Sequence, residues 1–207
     1  MLKITPVFKA PWYEEKSRWP WPIAAVDPFS FIPISRDPDD ATIGSFFAGF
    51  APQSDPPDDR SATVQLEDIL EHGAQYADGG MTFEADGITI YPGCCADLGM
   101  IVELVEFFTT GAGHNPAPWA TLDGSDITIW SDGGLDDKCI EPCIRTSREE
   151  FEAQLSSACV TLAAFGQACQ EWLINHEIPR ADEIHSRITL DFEELTEQRG
   201  SKDLRGD

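Results

Sequence analysis

The chain has 207 residues, a net charge of −23 and 42% hydrophobic residues, with 12 Phe and 6 Trp among them. This apolar content excludes a disordered chain, and no apolar run reaches the roughly 18 residues of a membrane-spanning helix. We therefore expect a cytoplasmic protein. A surface this acidic repels phosphate backbones and anionic lipids, which argues against nucleic acid and membrane and favours a basic protein as partner.

Residues 1–60 are rich in proline and aromatic residues and show no sustained helical or strand period. Proline interrupts helices and most central strands, so we expect short edge strands and irregular segments here. Because so many aromatic side chains would not remain in water, this N-terminal segment is predicted to wrap a main domain. The sequence thus divides into this segment, an α+β domain over 61–198 and a polar tail over 199–207.

Two Asp-Gly pairs each separate stretches of alternating residues in the middle of the chain. Asp86-Gly87 lies between Met81 and Tyr91, and Asp123-Gly124 lies between Trp119 and Trp130. Asp-Gly supplies the positive φ angles of a tight hairpin turn, so both stretches are predicted to be β-hairpins. Four antiparallel strands of one sheet would follow from them.

Three helices are predicted by apolar residues at helical spacing, over 64–77, 95–110 and 147–176. The last begins with a capping box, in which Ser147 is the N-cap and Glu150 stands three residues on. The fold class that follows is α+β, with an antiparallel sheet built from the two hairpins and three helices packed on it.

The negative charge is concentrated in the middle of the chain. No Lys or Arg occurs between Arg60 and Lys138, whereas this stretch holds 14 acidic residues. Such self-repulsion opposes compaction, so its retention in a folded segment indicates a cation-seeking face. The alternative is a solubility surface typical of an acidic proteome.

Six cysteines in a chain of this length do not make a disulfide framework, and free thiols are expected. Cys159 and Cys169 lie on the apolar stripe of the last helix and are interpreted as core residues. Cys94 and Cys95 follow a strand and precede a helix, where a thiol has a lowered pKa, and His114 is a candidate base. A cysteine-dependent or metal-assisted hydrolase is therefore the alternative function.

The candidate metal-binding motifs in the sequence are weak and give little further support to the alternative of a metal-assisted hydrolase. Cys139 and Cys143 offer two thiols, but the vicinal pair Cys94-Cys95 is a poor second zinc knuckle. The acidic turn Asp132–Asp137 lacks the ligand spacing of a calcium loop. We therefore predict no metal and no cofactor.

Two patterns resemble known bacterial proteins. Pro92-Gly93-Cys94-Cys95, the helix after it and the loop Gly113–Trp119 resemble a group of small bacterial proteins over about 50 of the 207 residues. In size and acidity the chain is also similar to the immunity proteins encoded beside bacterial polymorphic toxins, which bind and block a cognate toxin. That resemblance implies a binding function without catalysis.

The expected partner is thus a basic protein, such as a nuclease toxin, steered by the acidic middle segment. Two tryptophans, Trp119 and Trp130, are candidate aromatic anchors. The candidate acidic contacts are Asp97, Glu103, Glu106, Asp123, Asp126, Asp132, Asp136 and Asp137. A third reading is a structural module whose N-terminal segment mediates self-association.

Overall fold

A computed structural model describes residues 1–10, 21–27, 29–50, 66–67, 70, 77–93, 96, 98–99, 119–132 and 140–188. Two helices have defined bounds, α1 (Asp40–Ala48) and α2 (Arg148–Asn175). Residues 66–67, 70 and 181–188 are also helical. The strands are β1 (Lys3–Lys9), β2 (Phe31–Pro33), β3 (Gly79–Ala85), β4 (Ile88–Ile90), β5 (Trp119–Asp123), β6 (Asp126–Asp132) and β7 (Ile140–Ser147).

The strands form two sheets, so the predicted α+β class is confirmed. One sheet has four strands in the order β2-β1-β3-β4, and the other has three in the order β5-β6-β7. The sequence led us to expect both hairpins in one sheet, but the structure places them in two different sheets. Each hairpin instead pairs with a strand outside it: β3 pairs with β1, which lies far away in the sequence, and β6 pairs with β7, the next strand along the chain. The alternation of residues within a hairpin carries no information about such a neighbour.

The two hairpins turn differently. Asp86 and Gly87 have φ angles of 52° and 81°, and Ala85 pairs with Ile88 across them, as predicted for an Asp-Gly turn. In the second hairpin Asp123 pairs with Asp126, so Gly124 and Ser125 form the turn, one residue later than predicted. Gly124 takes the required positive φ of 62°.

Among the elements with defined bounds, one helix and one strand were not predicted. Helix α1 lies in the proline-rich segment, where Asp39 caps it by accepting a hydrogen bond from the Thr42 backbone N–H at 2.7 Å. Strand β7 contains Cys143, which the sequence presented as a metal-ligand candidate. The segment also contains an inner strand, β1, despite Pro6. Strand β1 lies between β3 and β2, and β2 has only three residues.

The chain divides into two compact units. Unit 1 comprises Met1–Val7 and Asp78–Val160, and unit 2 comprises Phe8–Ala77 and Thr161–Asp207. The chain therefore passes from one unit to the other at three points: within β1, between Ala77 and Asp78, and within α2. The predicted domain boundaries near residues 60 and 198 lie outside the described residues.

In unit 1, helix α2 starts directly after β7 and uses half of the predicted capping box. The Glu150 backbone N–H donates to Ser147 Oγ at 3.1 Å. The Glu150 carboxylate does not complete the box, because it accepts hydrogen bonds from the Leu2 backbone N–H at 2.6 Å and from Thr146 Oγ1 at 2.8 Å. The first turn of α2 is thereby tied to the start of β1.

Unit 2 has an aromatic core built on α1 and the second half of α2. Phe46 of α1 packs edge-on against Phe165 at a ring distance of 5.1 Å, and Phe47 stacks on Trp172 at 5.0 Å. Trp21 meets Trp172 edge-on and donates its Nε1 hydrogen to the Gly44 carbonyl at 3.0 Å. Burial of these rings accounts for Trp21, Phe46 and Phe47 among the N-terminal aromatic residues, whereas Phe29 is 53% exposed.

Of the three predicted helices, the one over 147–176 is confirmed as α2. The other two lie largely outside the described residues. Within the helix predicted over 64–77, residues 66–67 and 70 are helical. Within the stretch 95–110, Ala96, Leu98 and Gly99 are described and are not helical.

Candidate functional site

The three-stranded sheet has one buried and one open face. Ile127, Ile129 and Ile144 alternate on the buried face and are at most 2% exposed. The other face carries the residues between them, at positions that the strand register sets opposite one another. We call this surface the open face; its described side chains are Thr121, Asp123, Asp126, Thr128, Trp130, Cys143, Arg145 and Ser147, all exposed or half-buried.

Trp130 is held in place on the open face by a cross-strand hydrogen bond. Its Nε1 donates to Thr121 Oγ1 at 3.2 Å, and the side chain stays half-buried. Thr121 pairs with Thr128, so it stands diagonally from Trp130 across the hairpin. An indole ring fixed in this way loses little conformational entropy when a partner covers it, which is typical of aromatic anchors at interfaces.

Two carboxylates face each other at the tip of the open face. Asp123 and Asp126 are directly paired across the hairpin, and both are exposed. Like charges in this arrangement destabilise a hairpin. Ser125 Oγ lies 3.5 Å from Asp126 Oδ1, while neither aspartate forms an ion pair with any other described residue. The repulsion is therefore not relieved by a cation from the described part of the chain.

Arg145 is the cationic residue among the described side chains of the open face. It pairs with Thr128 in the register and is exposed. Within the described ranges it makes no ion pair either, although the chain carries 37 acidic residues. The open face thus presents two carboxylates, one guanidinium and an indole to the solvent.

Three of the residues predicted to bind a partner meet on the open face: Asp123, Asp126 and Trp130. For Trp119 and Asp132 the structure gives the backbone position, opposite Trp130 and Ile140 respectively, with an irregularity in β6 between Trp130 and Asp132. The remaining predicted contacts lie outside the described residues: Asp97, Glu103, Glu106, Asp136 and Asp137.

Sequence reasoning missed Thr121 and Arg145. Thr121 stands between Trp119 and Asp123 at strand spacing, so the alternation was sufficient to place it on the same face. Arg145 belongs to β7, which the sequence did not predict. Pro142 interrupts the strand pattern, and the sequence presents Cys139 and Cys143 only as candidate metal ligands.

The residues of the alternative enzyme, Cys94, Cys95 and His114, all lie outside the described residues, as does Cys139. Cys159 and Cys169 are 3% and 2% exposed, which confirms them as core residues. Burial raises the pKa of the Cys169 thiol well above its ordinary value, so this thiol stays neutral. In the part of the chain that the structure describes, no three His, Cys, Asp or Glu side chains cluster closely enough to hold a metal ion.

None of the helices among the described residues has the length and apolar character needed to cross a membrane. Comparison of the chain with protein-family models, with curated proteins and with solved structures finds no match.

Proposed function

We propose that this chain is a non-catalytic binding protein that neutralises a basic partner protein, and that it acts as an immunity protein against a bacterial toxin such as a nuclease. It would work in the bacterial cytoplasm, where the cell that makes the toxin must block it. The alternative hydrolase has no comparable support, because its residues lie outside the described part of the chain.

The observation that carries the proposal is the open face. Asp123 and Asp126 point charge outward from a hairpin tip, and Trp130 stands on the same surface with its indole fixed. They belong to a stretch of the chain with 14 acidic and no basic residues. A solubility surface requires only dispersed charge, whereas a fixed aromatic ring on the same face as carboxylates that form no ion pair with any described residue has the composition of a binding surface.

The two kinds of side chain would have different roles in binding. The carboxylates attract a cationic surface over a distance and raise the association rate, which electrostatic steering increases from about 10⁵–10⁶ to as much as 10⁸–10⁹ M⁻¹s⁻¹ at low salt. Trp130 is covered only after contact, so it slows dissociation. The complex would therefore form quickly and last long, as inhibition of a toxin requires.

The proposal is tested with the protein encoded by the adjacent reading frame. We expect it to be basic and toxic when produced alone, and its activity to fall linearly with added chain until one equivalent is present. Trp130→Ala should leave the stoichiometry unchanged and speed dissociation at least tenfold, whereas Val160→Ala, an exposed apolar residue of α2, should have no effect. An adjacent product that neither binds the chain nor loses activity contradicts the proposal.

A further inference from the structure

Strand β5 lies at the edge of its sheet. The order β5-β6-β7 gives it one neighbour, and no strand pairs with its outer side among the residues that the structure describes. Natural proteins protect such edges with Lys, Pro or a bulge, because an open edge pairs with other strands. The sequence of β5 is Trp119-Ala120-Thr121-Leu122-Asp123, which contains neither Lys nor Pro.

The register identifies which backbone groups point outward from β5. A two-residue turn is closed by a pair that exchanges both hydrogen bonds, here Asp123 and Asp126. Bonded and non-bonded pairs then alternate, so Leu122 and Ala120 direct their N–H and C=O groups away from β6. The outer edge therefore offers two donors and two acceptors at the spacing of a strand ladder.

The side chain of Leu122 shows that the buried face of the sheet ends abruptly at this edge. Leu122 pairs with Ile127, which is fully buried, yet Leu122 itself is 41% exposed. One more strand beside β5 would cover Leu122 and continue the apolar face. On the opposite face, that strand would run beside Thr121 and Asp123, where its side chains would meet negative charge.

We propose that the basic partner docks by adding an extended segment to the outer edge of β5, so that the three-stranded sheet gains a fourth strand. This inference rests on the proposed function, since it takes the partner to be a basic protein. The charge at Asp123 and Asp126 and the exposed Leu122 define the segment: Lys or Arg at every second position, with apolar residues between them. Main-chain hydrogen bonds supply affinity, and the two alternating faces supply specificity.

The test uses the full-length chain and capped synthetic octapeptides. The probe alternates Lys and Val; one control alternates Glu and Val, and another alternates Lys and Pro, which keeps the four charges but lacks half of the N–H donors. We expect the Lys-Val peptide to bind at least tenfold more tightly than either control. On its binding, hydrogen exchange of the Leu122 and Ala120 amides should slow at least tenfold.

A protein variant gives the matching evidence. Leu122→Pro removes one outward N–H, whereas Leu122→Ala shortens the side chain and keeps the N–H. Provided both melt like the parent, only Leu122→Pro should lose at least tenfold in affinity for the Lys-Val peptide. If Leu122→Pro does not fold, the amide exchange and the peptide controls decide the question with the unaltered chain.

Strand addition and the proposed function fail in different ways. Equal binding of the Lys-Val and Lys-Pro peptides, or no slowing of exchange at Leu122 with up to millimolar Lys-Val peptide, overturns strand addition. Neither result affects the one-to-one titration against the adjacent gene product, which tests the function itself. Tighter binding of the Glu-Val peptide contradicts the basic character of the partner.

Discussion

The Glu150 carboxylate joins the first turn of α2 to the start of β1. The Leu2 backbone N–H, together with the Thr146 hydroxyl, holds the pKa of Glu150 below its ordinary value. A carboxyl group with a lowered folded-state pKa contributes stability that is fully present above its unfolded-state pKa and is lost as the pH falls through the folded-state pKa. Glu150 therefore stabilises the fold at neutral pH and ceases to do so in acid.

Glu150→Gln should accordingly lower the melting temperature at pH 7, and the difference from the parent should shrink as the pH is lowered below about 4. Glu149→Gln is the matched control, since Glu149 is an exposed neighbour in the same first turn and makes no hydrogen bond among those described. Thermal unfolding monitored by circular dichroism between pH 3 and 7 measures both. A Glu150→Gln deficit that is the same at every pH contradicts this role.

Two buried threonines should respond in opposite directions to the same substitution. Thr82 Oγ1 is buried and has no hydrogen-bond partner among the described residues, whereas Thr146 Oγ1 donates to Glu150. Valine has a similar shape without the hydroxyl group. Thr82→Val should therefore raise the free energy of unfolding by about 1 kcal/mol, and Thr146→Val should lower it by about 1–2 kcal/mol. Denaturant unfolding gives both values; a loss of stability in Thr82→Val would show that the hydroxyl is satisfied.

At the scale of elements, the best-predicted parts of the fold are those specified by local signals. Asp86-Gly87 determines the first hairpin through two positive φ angles, and Ser147 marks the start of α2. The same kind of signal exists for α1, where Asp39 is the N-cap and Ile43, Phe46 and Phe47 are spaced for one helical face. The prolines around this short signal favour an irregular segment, so the helix does not follow from composition and spacing alone.

Pairings between distant strands could not be predicted, because no local pattern specifies them. β1 joins β3 across a long stretch of the chain, and β6 is joined by β7, a strand that the sequence did not predict. The candidate site depends on β7, since Arg145 reaches the open face only through it. The hairpin partners Asp123, Asp126 and Trp130 are local, which explains why the sequence could identify them as members of one surface.

Helix α1 packs so closely on the preceding chain that one of its positions admits only glycine. A Cβ atom on Gly44 would lie 2.1 Å from the Pro22 carbonyl oxygen and 2.7 Å from Trp21 Cδ1. Alanine normally stabilises a helix by about 1 kcal/mol relative to glycine. At position 44 this gain is opposed, because the backbone at Pro22 would have to move to make room for the added Cβ.

Gly44→Ala should therefore destabilise the protein by a net amount of about 1–3 kcal/mol, as overpacking does. The control is Gly49→Ala at the end of α1, where the added Cβ would lie 3.1 Å from the nearest described atom, Phe46 O. We expect a smaller change there. Denaturant unfolding compares the two variants, and a Gly44→Ala protein as stable as the parent would contradict the close approach of α1 to Trp21 and Pro22.

At the scale of the whole molecule, total charge and the placement of charge have different effects on binding. A net charge of −23 attracts any cation, and this attraction weakens as salt shortens the Debye length from about 30 Å at 0.01 M to about 8 Å at 0.15 M. A binding face requires more, because Asp123 and Asp126, which share the open face with the fixed indole, must contribute more to association than carboxylates elsewhere. Variants with equal net charge distinguish the two.

The most direct measurement is therefore the association rate of two charge-reversed variants with the adjacent gene product, by stopped-flow fluorescence at 0.01 M and 0.15 M salt. One variant carries Asp123→Lys and Asp126→Lys on the open face; the other carries Asp37→Lys and Glu171→Lys at exposed positions of unit 2. We predict that at low salt the first associates at least tenfold more slowly than the second, and that the difference narrows at 0.15 M. Equal rates for the two variants at low salt would show that the open face is not where the partner docks.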